Sequence, residues 1–311
     1  MEFVIFPPGL LDLPAVCDLP SEHKLLLSFV VVNPQTSACG VLTATKFVAA
    51  KLPLPMDVFW GIVDDLDRRE VVVADVSTGE IFVSESFAWH RAPTPDENTG
   101  WSRQVAAAAA RIRSSRVRDA VGAALAHPPS ARLPTLKTPT NLLTALPPRG
   151  RGKGWSATET LVHFAAATNP DQTAAGVFVP NVHALAAFCS LPSATLLECV
   201  DSLGAARLLT FDGETGELFC PARLRAAQER DVGKIQRLGE DVRSWAVFRA
   251  LAEAAKRRFS KITIKSKCCP LGDFMGVEGK GVEFRPGFSE AVEKARSAFP
   301  QLVTLVPERR A

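Results

Sequence analysis

The feature that most constrains this chain is that a stretch of about seventy residues, Ser21 to Arg91, is written twice. Asn33-Pro34-Gln35-Thr36-Ser37-Ala38-Cys39-Gly40-Val41 returns as Asn169-Pro170-Asp171-Gln172-Thr173-Ala174-Ala175-Gly176-Val177, at an offset of 136 residues. One inserted residue then raises the offset to 137. That sets Leu54-Pro55 on Leu191-Pro192, Val63 on Val200, Leu66 on Leu203, Thr78-Gly79-Glu80 on Thr215-Gly216-Glu217, and Phe82 on Phe219. The period is too long for a solenoid and implies two domains of one kind.

Each copy reads as three helices and a small hairpin. Leu25, Leu26, Phe29 and Val32 recur at helical spacing, and Asn33-Pro34 ends that helix, because the residue before proline avoids the α region. The second copy opens on Ser156-Ala157-Thr158-Glu159, the pattern of a capping box. A short extended run (Val41, Leu42), a helix around Phe47 to Lys51 and a longer helix from Pro55 follow. The third helix carries one apolar stripe, Phe59, Ile62, Val63 and Leu66, matched by Leu196, Cys199, Val200 and Leu203. Val71-Val72-Val73 and Ile81-Phe82-Val83 flank the turn-forming Asp75 to Gly79 and read as a hairpin. Helix, strand, helix, helix, hairpin is the order of a winged helix, a helix-turn-helix variant.

Asn33, Pro34, Thr36, Gly40, Leu54 and the Phe82-Val83 strand also resemble the N-terminal winged-helix domain of phage and plasmid replication proteins, the replisome-organiser and DnaD-like group. The second copy departs from the pattern, with Gln172 where the first has Thr36. The resemblance covers two blocks, together less than half the chain, and its motifs are structural, not catalytic. It implies replication initiation or helicase recruitment through DNA and protein contacts, with double-stranded DNA, a replicative helicase or its loader, and further copies of the chain as partners.

In chain order, an apolar, proline-broken arm (1–20) precedes the first winged helix (21–91). A basic linker with an alanine-rich helix follows (92–154), running from Gln104 to Ala126 as helix and ending in Pro147 to Gly154. The second winged helix (155–227) leads into one long amphipathic helix (228–261). There Val232, Ile235, Leu238, Val242, Trp245, Phe248, Leu251, Ala255 and Phe259 keep three-to-four spacing. A small C-terminal α/β unit (262–311) ends the chain. The fold class expected is α+β, mainly α.

Composition narrows the setting. With 47% hydrophobic residues and a mean hydropathy of +0.09, the chain has ample material for packed cores. No apolar run reaches the roughly 18 residues a membrane span needs, so no membrane partner is expected. Met1-Glu2-Phe3 lacks the basic start of a signal peptide. Seven cysteines without a Cys-x-x-Cys pair suggest reduced thiols, hence a cytoplasmic protein. Cys268-Cys269 has no second pair or nearby histidine to complete a metal site.

Most enzyme classes fail on inventory, and no catalytic residue, metal or cofactor is expected. The chain has no tyrosine, which excludes a tyrosine nucleophile. Gly152-Lys153 has neither the upstream glycine nor the following hydroxyl of a phosphate loop. The five histidines are scattered. Asp64-Asp65 could be set against metal-binding carboxylate pairs. Their place on the solvated face of the third helix, and Ser202 where the second copy would repeat Asp65, favour an ordinary polar face.

Charge is spread unevenly. The two winged helices carry −3 and −4, the linker +7, residues 228–267 +6, and the whole chain +3. The first third helix is acidic (Asp57, Asp64, Asp65, Asp67), which opposes approach to phosphate. DNA is therefore expected on the bridging segments. The linker contributes Arg111, Arg113, Arg116, Arg118, Arg151 and Lys153, and the long helix Arg230, Lys234, Arg237, Lys256, Arg257 and Arg258. Lys46, Lys51, Arg68 and Arg69 add local support. Two functions compete on these residues: a non-enzymatic replication initiator that binds origin duplex, and an oligomerising adaptor or transcriptional regulator acting mainly through protein contacts.

Overall fold

Asn33 and Asn169 end the first helix of each copy in the same way. Each turns its side-chain oxygen back to accept the amide two residues on, from Gln35 and Asp171, at 2.9 Å. In this computed structural model, which describes residues 3–46, 50–88, 99–127, 133, 136–139, 154–227 and 229–259, those helices are α1 (Ser21–Val32) and α5 (Ala157–Thr168). Ser156 and Glu159 form the expected reciprocal capping box at the start of α5. Gln172 does the work of Thr36: Thr36 donates its hydroxyl to Val30 O, and the Gln172 amide donates to the equivalent Ala166 O at 3.3 Å. Gly40 and Gly176 follow at φ of 79° and 84°. A Cβ there would come within 2.8 Å of Ser86 and 2.5 Å of the Cys220 carbonyl. Only glycine fits both the sign of φ and the space.

The chain is α+β and mainly helical. In the first copy β2 (Val41–Thr43), α2 (Met56–Arg68), β3 (Val72–Asp75) and β4 (Glu80–Val83) build an antiparallel sheet of order β2-β4-β3 under the helices. The second copy repeats it with β6 (Val177–Phe178), α6 (Val182–Phe188), α7 (Ser193–Ala205), β7 (Thr210–Phe211) and β8 (Leu218–Phe219), order β6-β8-β7, and a short helix α8 (Pro221–Ala226) follows. Register is kept as well: Val41 and Val73 flank Phe82, and Val177 and Thr210 flank Phe219. The helix expected around Phe47 to Lys51 lies across residues outside the described set, as do the C-terminal unit at 262–311 and the linker residues 140–153.

Two segments differ from the sequence reading. The helix expected over Gln104 to Ala126 is two, α3 (Gly100–Ala109) and α4 (Ser115–Ala126), and they pack on the first sheet. The long helix expected over 228–261 is also two, α9 (Val232–Glu240) and α10 (Trp245–Arg258), packed on the second sheet. Neither segment is a free connector. Val105, Ile112, Val117 and Val121 close a core over Cys39, Val41 and Phe82. Ile235, Val242, Val247 and Leu251 close its counterpart over Ala175, Val177 and Phe219. The duplicated unit is thus longer than its legible half, and each copy ends in a helical pair.

A buried glutamate breaks both helices. The Glu80 carboxylate accepts the amides of Arg113 (3.0 Å) and Ser114 (2.8 Å), and Glu217 accepts those of Arg243 (3.0 Å) and Ser244 (2.7 Å). Ser114 and Ser244 in turn cap α4 and α10 through the amides of Val117 and Val247. A carboxylate at the first amides of a helix satisfies donors that have no intrahelical partner and meets the positive end of the dipole.

The copies are joined through α1 and α5, which pack on each other and are buried on nearly every face. The N-terminal arm covers both copies: β1 (Phe3–Phe6) pairs antiparallel with β5 (Leu136–Pro139), and the Phe6 ring meets Phe164 edge-on at 4.8 Å. Lys24, fully buried, donates to the carbonyls of Ala187 (3.2 Å) and Phe188 (3.0 Å) at the end of α6. Desolvation lowers its amine pKa. The neighbouring Cys189 thiol is pushed by burial up to about 12, which leaves it inert as a thiolate.

Two outcomes follow from the clamp. Glu217→Ala orphans two buried amides, so denaturant unfolding should show a loss of about 2–4 kcal/mol. Hydrogen exchange at Arg243 and Ser244 should accelerate; unchanged exchange there would rule the clamp out. The second concerns Asp212, whose carboxyl is held below its ordinary value by the Ser244 hydroxyl, with help from the turn amides, against an opposing desolvation. A depressed carboxyl stabilises fully above the unfolded value of about 3.9 and loses that contribution as pH falls through the folded one. Asp212→Asn should flatten the acid limb of the stability profile below about pH 4.

Candidate nucleic-acid interface

The four arginines of the expected linker cluster are exposed, but three of them are tied to groups of their own copy. Arg116 forms a bidentate pair from α4 to Asp67 on α2 (2.8 and 3.0 Å) and donates to Ala74 O at 2.9 Å. Arg113 donates to Thr78 O, and Arg118 to Ile112 O. Arg111 and Arg113 lie in the turn between α3 and α4, so Arg111 and Arg118 do not share one helix face as seven-residue spacing implied. On α2, Arg68 pairs with Asp64 (3.2 Å) and Asp65 (3.3 Å), and Arg69 with Asp65 (3.0 Å). Asp65 also meets His23 at 3.1 Å. Partial desolvation raises its pKa, but the bonds and charges of Arg69 and His23 outweigh it and hold the carboxyl below its usual range. Asp64 and Asp65 are ion-pair partners, and no group of three or more metal-ligating side chains occurs among the described residues.

The remaining expected cations are scattered over the surface. Lys46 and Lys51 are exposed. Arg230 is exposed in a short 3-10 turn before α9, and Lys234 and Arg237 sit on α9, where Arg237 donates to Gly233 O at 3.3 Å. Lys256, Arg257 and Arg258 end α10; Arg258 donates to Ala227 O at 3.0 Å and lies over the Phe259 ring. Arg151 and Lys153 fall outside the described residues.

What the sequence reading missed is a cleft of ≈ 190 Å³ in the second copy, between the turn after α7, the hairpin and α10. Arg207, Arg249 and Arg257 line it, with Glu253 as the one carboxylate among its lining residues. All three arginines are exposed, and none has an ion pair or side-chain hydrogen bond among the described residues. Lys256 lies seven residues after Arg249 and shares its face of α10.

Matching the copies shows how different the two faces are. Glu70 and Arg207 occupy the same left-handed turn position, at φ of 60° and 59°. Carrying the match along the final helices from Arg113-Ser114 and Arg243-Ser244 sets Asp119 on Arg249 and His127 on Arg257. The first copy's face is acidic, and that copy has a recess of ≈ 330 Å³ lined by Asp64, Asp67, Asp75 and the bridging Arg116; the second copy's face is basic. The Arg-Ser pair was the signal that could have extended the repeat and brought Arg207 and Arg249 forward.

The pair Arg116–Asp67 can be weighed by a double-mutant cycle. Both members are partly exposed, so Arg116→Ala and Asp67→Ala should show a coupling of about 0.5–1 kcal/mol. A coupling of zero would release Arg116 for outside ligands.

No protein-family model, curated protein or solved structure matches this chain. Its function rests on the chemistry of these two faces.

Proposed function

We propose that this chain is a non-enzymatic, duplex-DNA-binding protein of the phage or plasmid replication-initiation kind. Its two copies act as tandem winged helices, and bound DNA is presented to a replicative helicase or its loader. The observation that carries the reading is the set of cations on the second copy that form no ion pair among the described residues: Arg207, Arg249, Lys256 and Arg257 lie on one face with Glu253 as the one carboxylate among the cleft's lining residues. Phosphate neutralisation by such cations releases condensed counterions, which supplies affinity without sequence information. The strand order of each sheet beneath its helices is what a winged helix requires.

The acidic first copy favours the adaptor role within the same protein. Arg68, Arg69, Arg113 and Arg116 are tied to its own carboxylates, so its acidic face repels phosphate and is left for protein contacts.

The test is duplex affinity measured by fluorescence anisotropy across salt concentrations. If about four phosphates are met, log affinity should fall with log salt at a slope of about −3 to −4. Magnesium with ATP should give no hydrolysis and no DNA cleavage. Absence of duplex binding at low salt would sink the reading, as would magnesium-dependent turnover lost in Asp64→Asn.

A further inference from the structure

We propose that the cleft between the second hairpin and α10 is a phosphate-binding site, occupied by a phosphodiester of the DNA backbone. The site is an address for the DNA-binding reading and rests on it for the source of the phosphate.

The comparison of the two copies carries the inference. In the first copy the gap between the end of α2 and the start of α4 is spanned by the Arg116–Asp67 bridge and its bond to Ala74 O, which together line an acidic recess. In the second copy both ends of that bridge are missing: Gly204 stands at the position of Asp67, and Ala246 at that of Arg116. The gap is open, and Ala246 is part of its lining. Around it, Arg207, Arg249 and Arg257 stand where the first copy has Glu70, Asp119 and His127. Loss of the internal pair, with three changes of charge in one direction, turns an acidic face into an anion receptor.

The chemistry fits a phosphate group. Guanidinium forks match tetrahedral oxygens bidentately and keep their charge at any working pH. Three arginines against Glu253 leave a net of two positive charges, enough for a diester or for a free dianion. Arg207 approaches from a turn whose left-handed backbone is common to both copies, so that position is set by the scaffold and not by the side chain. Arg249 and Arg257 are eight residues apart on α10, two turns along one face, with Ala246, Ala250 and Ala254 leaving the floor between them shallow.

The experiment fills the Ala246 side of the cleft without changing net charge. Gly204→Asp with Ala246→Arg rebuilds the first copy's bridge and leaves all three arginines in place. A Cβ at Gly204 meets only Leu209 O at 3.8 Å, an ordinary contact. A second variant, Arg207→Ala with Arg249→Ala and Arg257→Ala, changes exposed side chains only. Duplex affinity is read across salt, and melting temperature is read in inorganic phosphate against chloride at equal ionic strength.

Both variants should lose about one unit of salt slope or more, and at least fivefold in affinity near 50 mM salt. Both should also lose the rise in melting temperature that phosphate gives the wild type. A wild-type slope and affinity in both variants would overturn the site and leave the DNA reading standing. Loss in the triple-alanine variant alone, with the bridge variant folded and binding normally, would also overturn it, because general charge would then explain the binding. No duplex binding by the wild type, with a phosphate-specific rise that both variants abolish, would keep the phosphate site and overturn DNA as its source.

Discussion

Two buried carboxylates set the geometry on which everything else in this chain depends. Glu80 and Glu217 each leave a sheet and receive two consecutive amides at the start of a helix that is distant in sequence. Charge-assisted bonds to amides inside a protein are strong, and both partners are costly to leave unpaired. The clamp therefore fixes where α4 and α10 begin and which way they run across the hairpins. Arg243 reinforces it, reaching Glu217 at 3.4 Å and Thr215 O at 3.2 Å. Without this anchoring, Arg249 and Arg257 would not stand opposite Arg207.

Duplication explains why such different faces sit on one scaffold. Positions that fill cores are held by packing, where changes of a methylene are felt, and their matches stay close: Val117 with Val247, Val121 with Leu251, Phe82 with Phe219. Exposed positions carry little stability and are free to reverse charge, as Glu70 and Arg207 do. The bridge shows both rules at once. Arg116–Asp67 adds only about 0.5–1 kcal/mol, so its loss in the second copy is cheap in stability while it opens a space in the surface.

The legible part of the fold was local. Asn-Pro stops, the Ser156–Glu159 box, and the Asp75 and Asp212 turns between alternating strands act over a few residues, and each stands where the sequence puts it. The breaks in the two long helical stretches act over longer range. Across Asp241 to Ser244 the apolar spacing continues, because Val242 is buried in the turn much as a helical residue would be. What stops the helix is Glu217, and near residue 241 only the Arg243-Ser244 pair, with Ser244 as the cap, hints at it. The site was harder still. Counting arginines locates charge, but whether a guanidinium is free depends on a carboxylate such as Asp67, 49 residues from Arg116. Periodicity cannot supply that.

The joint between the copies gives the asymmetry its consequence. α1 and α5 are buried against each other, and Lys24 and Ser21 pin the α6 end to the first copy through the carbonyls of Ala187, Phe188 and Cys189. Separating the copies would expose this apolar contact and leave those carbonyls without donors, so they move as one body. A rigid pair with phosphate affinity on both faces would have to bend or bridge DNA to use them. On the proposed DNA-binding reading, with one basic and one acidic face, the same rigidity would hold a bound duplex at a fixed distance from a surface that repels it. A protein partner on the acidic face would then meet the DNA in one orientation, with little entropy spent on arranging the two.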